Sequence, residues 1–206
     1  PRNDDFNGME QEGVGRYQVT QINGERCSAA RAYLSPVRSR DNLSILTGAQ
    51  ATMLILEGKR VLGVRYRQSG AEHEVHAGRE VILSAGALQT PQLLLLSGIG
   101  PGAALQAKGI DVAHDLPGVG RNLQDHIDIV IPYLSDSRHA MGLTIGGVAQ
   151  AIKGIFEWRR QRTGLITSNT TETGGFVKSR PDLAIPDLQL HFSIAIVDDH
   201  GRKRHF

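Results

Sequence analysis

Cysteine and tryptophan each occur once, and aromatic residues make up only 5% of the 206 residues. A single Cys27 excludes an intrachain disulfide and a cysteine-built metal site. It also makes a reducing, cytoplasmic compartment the simpler reading. No apolar run approaches the roughly 18 residues needed to cross a bilayer, so no transmembrane segment is expected. The opening Pro1-Arg2-Asn3-Asp4-Asp5 lacks the apolar core of a signal peptide. Charge of one sign is missing too, with 23 Lys and Arg against 21 Asp and Glu for a formal +2. Nucleic acid is therefore not an expected partner, and Arg202-Lys203-Arg204 reads as a solvated loop. What is present, 40% hydrophobic and 21% charged residues, is ordinary for a globular chain able to bury a core.

Patterning along the chain is strand-rich. Arg16 to Gln21 alternates like a strand and ends at an Asn23-Gly24 turn; Ser28 to Leu34 is Ala-rich and reads as a helix closed by Pro36. Strands are then expected at Leu43–Leu46, Ala51–Leu56, Val61–Tyr66 and Glu72–His76, joined by tight turns such as Glu57-Gly58-Lys59 into a meander. Gly102 to Lys108 reads as a short helix, Ile127 to Leu134 as strand-like, and Gly147 to Arg160 as a helix ending in Arg159 and Arg160. Gly174 to Val177 and Leu188 to Ile194 complete the pattern.

The segment from Val81 to Gly100 carries the most information. Val81-Ile82-Leu83-Ser84-Ala85 reads as a strand covered on both faces. Ser84-Ala85-Gly86-Ala87 forms a small-residue turn whose backbone N–H groups stand open to a ligand. Thr90 then reads as an N-cap with Pro91 at the first helical position, and Gly98 as the stop. Gly98-x-Gly100-x-Gly102 follows a helix, and Gly118-Val119-Gly120 has no strand before it; neither is a dinucleotide fingerprint, and the first reads as a helix C-cap.

Gly86, Ala87, Thr90, Pro91, Leu93, Leu94, Ser97, Gly98, Ile99 and Gly100 fit, position by position, the second signature of the glucose–methanol–choline flavoprotein oxidoreductases, which this chain resembles. Leu116-Pro117-Gly118-Val119-Gly120-Arg121-Asn122-Leu123-Gln124-Asp125-His126 resembles that family's segment lying against the flavin. The likeness runs from Asn7-Gly8 to Asp198-Asp199-His200-Gly201-Arg202-Lys203-Arg204 and is strongest toward choline-dehydrogenase-like members. It implies FAD as cofactor of the parent enzyme, bound weakly or not at all by these 206 residues alone, with Ala51, Ser84, Ala85, Gly86, Ala87, Asn122 and Asp125 as cofactor-binding residues. The strand holding Ala51 resembles the one whose backbone meets the adenine edge; its residues read equally as an ordinary sheet strand.

If Asp125 to Asp128 is extended, His126 and Asp128 share one face. In choline-oxidising relatives an acidic side chain at the position of Asp128 faces the substrate's ammonium group; the shorter Asp here argues against choline itself. Along Leu188 to Ile194 the apolar residues take one face and Gln189, His191 and Ser193 the other, which leaves His191 open as a pocket residue or a surface histidine. The resemblance implies His126 and His191 as catalytic candidates in supporting roles, with Asp128 and His191 contacting a small alcohol. The remaining histidines, His73, His76, His114, His139, His200 and His205, read as exposed.

The resemblance implies a mixed α/β fold. Residues 1–42 would be a substrate-domain segment, 43–126 a partial FAD-binding domain, and 127–206 part of a mostly antiparallel substrate-binding sheet with flanking helices. It further implies oxidation of an alcohol to an aldehyde or ketone by hydride transfer to FAD, with oxygen or an external electron acceptor as second partner. The sequence contains neither a strand-Gly-x-Gly-x-x-Gly-helix nor the family's His-Trp-type segment with the principal catalytic histidine. These 206 residues read as a central piece of such an enzyme, inactive alone and prone to self-association; a standalone binding domain derived from one is the alternative.

Overall fold

The computed structural model describes residues 1–133 and 145–194. Leu134, His139, His200, His205, the basic run Arg202-Lys203-Arg204 and the stretch from Asp198 lie outside the described residues. The fold is mixed α/β and divides into two units: Pro1–Leu43 together with the chain from Asp128 onward, and Ser44–Ile127.

In the first unit, β1 (Gly13–Arg16), β9 (Thr173–Val177) and β10 (Leu188–Phe192) form an antiparallel sheet in the order β1-β9-β10. The early strand expected over Arg16–Gln21 lies several residues sooner, because pairing with β9 sets it: Gly13 sits opposite Phe176 and Arg16 opposite Thr173. Asn23 and Gly24, with φ of 49° and 67°, make the expected turn between the two-residue strands β2 (Gln21–Ile22) and β3 (Glu25–Arg26). Residues Ala30–Leu34 are helical, but Pro36 continues the turn as a 3-10 segment over Ser35–Val37. Its fixed φ suits a 3-10 turn as well as a helix end.

The helix α3 (Ile145–Gln161) packs through the buried Gly154 against the turn at Leu165–Thr167, where an added Cβ would stand 3.2 Å from Ile166 Cγ2. Its end is tied to the β2–β3 hairpin by Glu25, which accepts hydrogen bonds from Arg31 at 2.7 Å and Arg162 at 2.8 Å, while Arg162 also lies over the Trp158 ring. The hydrogen bond from Arg31, with Arg162 nearby, holds the Glu25 carboxyl below its ordinary 4.5. Asp187 is likewise held below 3.8 by the Ser179 hydroxyl, 2.6 Å away, and the Ser179 N–H.

In the second unit the meander forms as expected: β4 (Gln50–Glu57), β5 (Arg60–Gln68) and β6 (Ala71–His76) pair antiparallel in that order. Gly58, at φ +58°, makes the first turn, and cross-strand pairs fix the β5–β6 register: Arg65 with Glu74 at 2.9 Å, and Tyr66 stacked on His73 at 5.2 Å. Helix α1 (Gly86–Leu96) packs on β4, burying Leu93 against the sheet that buries Leu54. It ends at Gly98, φ +78°, as expected of an αL cap. A parallel pair, β7 (Ile99–Gly100) with β8 (His114–Asp115), is bridged by α2 (Gly102–Gln106).

Three expected strands are not strands. Val81–Ala85, Leu43–Leu46 and Ile127–Tyr133 carry no assigned pairing, and Ile82 and Ile127 are 78% and 97% exposed. An apolar run becomes a strand only where a neighbour completes its hydrogen bonds, and none of the described strands lies beside these. Thr90 is also not the N-cap. The helix starts a turn earlier at Gly86 with Pro91 inside it, and Thr90 Oγ1 instead accepts the Ala85 N–H at 3.0 Å.

Candidate functional site

Within the second unit, Ser84, Ala85, Gly86 and Ala87 are all exposed and turn the chain into α1. Gly86 has φ +89°, where L side chains are strained, and nothing lies within 4 Å of the place its Cβ would take. The space in front of the turn is open. Ala85 offers no side-chain cap, so the first N–H groups of α1 have none from it and point their positive end outward. Such a terminus suits an anion or a hydroxyl-bearing ligand.

Ala51, exposed and opposite Tyr66, lies on β4, the edge strand of its sheet, next to a register shift between Ala51 and Met53. An edge presents alternate backbone donors and acceptors to a partner outside the sheet. One of these is already used: the Leu54 N–H donates 2.8 Å to Ser97 Oγ, and that hydroxyl donates 2.6 Å to the Leu93 carbonyl. Ser97, only 7% exposed, thus locks the end of α1 to β4 and sets the edge strand beside the helix. The segment after β8 returns toward the same helix. The Leu116 N–H donates to Gly100 O at 2.9 Å, and Gly120, φ +76°, stands against Leu95. Beyond it Asn122 takes a left-handed φ of 57°, a conformation Asn tolerates, and Asp125 Oδ1 accepts the His126 backbone N–H at 2.8 Å. Ala51, the Ser84–Ala87 turn, Asn122, Asp125 and His126 therefore belong to one unit, and the helix α1 links the first two.

Asp128 and His191 belong to the other unit. Asp128 is exposed in the extended stretch that follows His126. His191 sits mid-strand in β10 opposite Gly174, exposed, with its ring 5.3 Å from that of Tyr17 at 33°. A cleft of about 930 Å³ borders β10 chiefly on the face of Arg16, Leu190 and Phe192, opposite the face to which alternation assigns His191. Residue alternation placed His191 on the face away from Leu190 and Phe192; Phe6, Tyr17 and Phe176 cluster there, which alternation alone did not reveal. The sequence signal for that cluster was Gly174 on the neighbouring strand, whose missing side chain leaves room for the Tyr17 ring. Among the described residues no group of His, Cys, Asp and Glu is arranged to hold a metal ion, and no helix is long and apolar enough to cross a membrane.

Comparison with known proteins adds to this geometry. The family described as GMC oxidoreductase matches residues 1–128. An alcohol dehydrogenase [acceptor] of Pseudomonas putida is 48% identical over 203 residues, which is 98% of this chain and 37% of that protein. An oxygen-dependent choline dehydrogenase of Pseudomonas fluorescens is 41% identical over 216 aligned residues, 100% of this chain and 38% of the relative. The solved structure of an FAD-dependent oxidoreductase from Chaetomium thermophilum superposes with a TM-score of 0.73 at 29% identity, covering 86% of this chain and 32% of that one. The chain spans little more than a third of the length of the curated relatives it matches.

Proposed function

The chain belongs to the GMC oxidoreductase family, and from that premise we propose that it supplies the adenine side of an FAD site and one wall of an alcohol pocket. The reaction it serves is oxidation of an alcohol to an aldehyde or ketone, with oxygen or an external acceptor taking the electrons onward. The observation that carries this reading is the open turn at Gly86, which begins the helix α1 that packs on the edge strand β4 within one unit.

The residues present fit the cofactor. Small side chains at Ser84, Ala85, Gly86 and Ala87 leave backbone N–H groups approachable, and the backbone at Ala51 needs no particular side chain to meet a heterocycle edge. Asn122 and Asp125 bring an amide and a carboxylate to the same unit, in the segment that the family likeness sets against the flavin. FAD bound there supplies the two-electron acceptor that amino-acid side chains lack. His126 in one unit and His191 in the other each contribute an imidazole, a side chain of the type that serves as acid or base, in the supporting roles the resemblance implies. Asp128 adds a carboxylate suited to a polar or cationic group on the substrate.

Two further properties belong to the same reading. The buried, unpaired Cys27 suits a cytoplasmic setting. Val148, Ile152, Ile155 and Phe156 form an exposed apolar stripe on α3 that favours self-association of the isolated chain.

Titration of the purified chain with FAD, with ADP as competitor, tests the adenine placement. ADP should displace the flavin, and Gly86→Asp should abolish the ADP-sensitive binding by adding a Cβ, a negative charge and backbone strain at the turn. Flavin binding that ADP leaves untouched would remove the adenine site from these residues.

A further inference from the structure

His191 does not stand alone on its sheet. Across the three strands it shares a row with Gly174 of β9 and Gly15 of β1, a strip with no side chains beside the imidazole. Tyr17 lies in that strip. Its hydroxyl donates 2.6 Å to the carbonyl of Leu190, the residue before His191, and its ring faces the imidazole. From the other side Phe6, 8% exposed, holds the Tyr17 ring at 5.4 Å, and Phe176 meets it edge-on at 6.5 Å.

The two glycines are needed for this arrangement. A Cβ on Gly174 would run into the Leu190 carbonyl oxygen and Tyr17 Oη and stand 2.6 Å from Tyr17 Cε2. A Cβ on Gly15 would run into the Asn3 carbonyl oxygen and come 3.3 Å from Phe6 Cζ. Tyr17 is therefore fixed at both ends, by a hydrogen bond to β10 and by aromatic packing on a buried ring. A side chain held that way is a platform, and the group resting on it is His191.

We infer that Tyr17 is the positioning residue for His191: it sets the tilt of the imidazole, and Gly174 is the gap that admits it. The consequence for catalysis rests on the pocket role proposed for His191, whereas the platform itself does not. An exposed imidazole samples several rotamers, and one rotamer held against a tilted ring keeps its nitrogens aimed at one place without that entropy loss recurring on each turnover.

The test uses two readouts. In the 206-residue chain, the imidazole proton and carbon resonances of His191, assigned by loss in His191→Gln, should carry the ring-current shift of Tyr17. Tyr17→Leu should move them to positions typical of a free imidazole, and Tyr17→Phe, which keeps the ring but loses the Leu190 tether, should move them part of the way. Resonances of His191 unchanged in a folded Tyr17→Leu chain overturn the inference. Should that variant not fold, unchanged resonances in Tyr17→Phe do so instead.

In the gene product that carries this chain, Tyr17→Leu should lower kcat/KM for an alcohol about tenfold, with most of the loss recovered in Tyr17→Phe, as expected when a reacting group is misplaced rather than removed. NMR shifts that move as expected while kcat/KM stays put would uphold the platform and count against His191 as a pocket residue.

Discussion

Gly98→Ala should unfold the second unit, while Gly109→Ala in the same unit should leave it folded. Both glycines have left-handed backbones, at φ +78° and +71°, so both substitutions carry the roughly 1–2 kcal/mol cost of placing an L residue there. Their surroundings differ. Nothing lies within 4 Å of a Cβ on Gly109, whereas one on Gly98 would run into the Asp111 carbonyl oxygen and stand 3.0 Å from the Ala113 nitrogen. Those atoms are backbone, and they cannot swing aside. Gly98 O accepts the N–H groups of both Ala113 at 2.9 Å and His114 at 3.1 Å, so moving either strand breaks the β7–β8 pairing. A steric cost of several kcal/mol on top of the strain is a large share of the 5–15 kcal/mol that holds a small domain together. Hydrogen exchange of the β4–β6 amides reads the outcome: protection lost in Gly98→Ala and retained in Gly109→Ala. Equal losses in the two variants would show that the contacts around Gly98 carry no special weight.

Ser97→Ala should destabilise the same unit by about 1–3 kcal/mol, because it strands a buried donor. Ser97 Oγ is the acceptor for the Leu54 N–H, in a strand where Leu54 is 5% exposed and Ser97 itself 7%. Alanine keeps nearly the same volume and removes both bonds of the hydroxyl, the one from Leu54 and the one to the Leu93 carbonyl. The Leu93 carbonyl keeps the Ser97 backbone N–H at 3.1 Å, so the orphan is the Leu54 N–H alone. The local prediction is sharper than the global one: in Ser97→Ala the Leu54 amide should exchange faster than its neighbours in β4, ahead of unit-wide unfolding. Uniform acceleration across β4 would mean the hydroxyl acts only through packing.

The parts of this fold that were legible in the sequence are those whose partners are close by. The meander of β4 to β6 follows from alternation and glycine turns because each strand pairs with the next one. The end of α1 at Gly98 follows from a local αL cap. Val81–Ala85 failed for the complementary reason: its apolar run shows that burial on both faces is favourable but not which neighbour supplies it, and none of the described strands does. The rule placing Pro at the first helical turn misled at Pro91, since Thr90 caps Ala85 from inside a helix that begins at Gly86. The candidate site divides the same way. Strand alternation put His191 on the face of β10 away from Leu190 and Phe192, but Tyr17 reaches it from the far end of the chain, and only sheet pairing brings the two together.

The central claim is that this chain serves flavin-dependent alcohol oxidation, and the most direct measurement is an anaerobic titration of its gene product with a primary alcohol, followed by flavin absorbance. The account predicts a yellow protein whose bound flavin bleaches on addition of alcohol and recovers its colour with oxygen or an artificial acceptor. A colourless protein, or a bound flavin that no alcohol reduces, would contradict it.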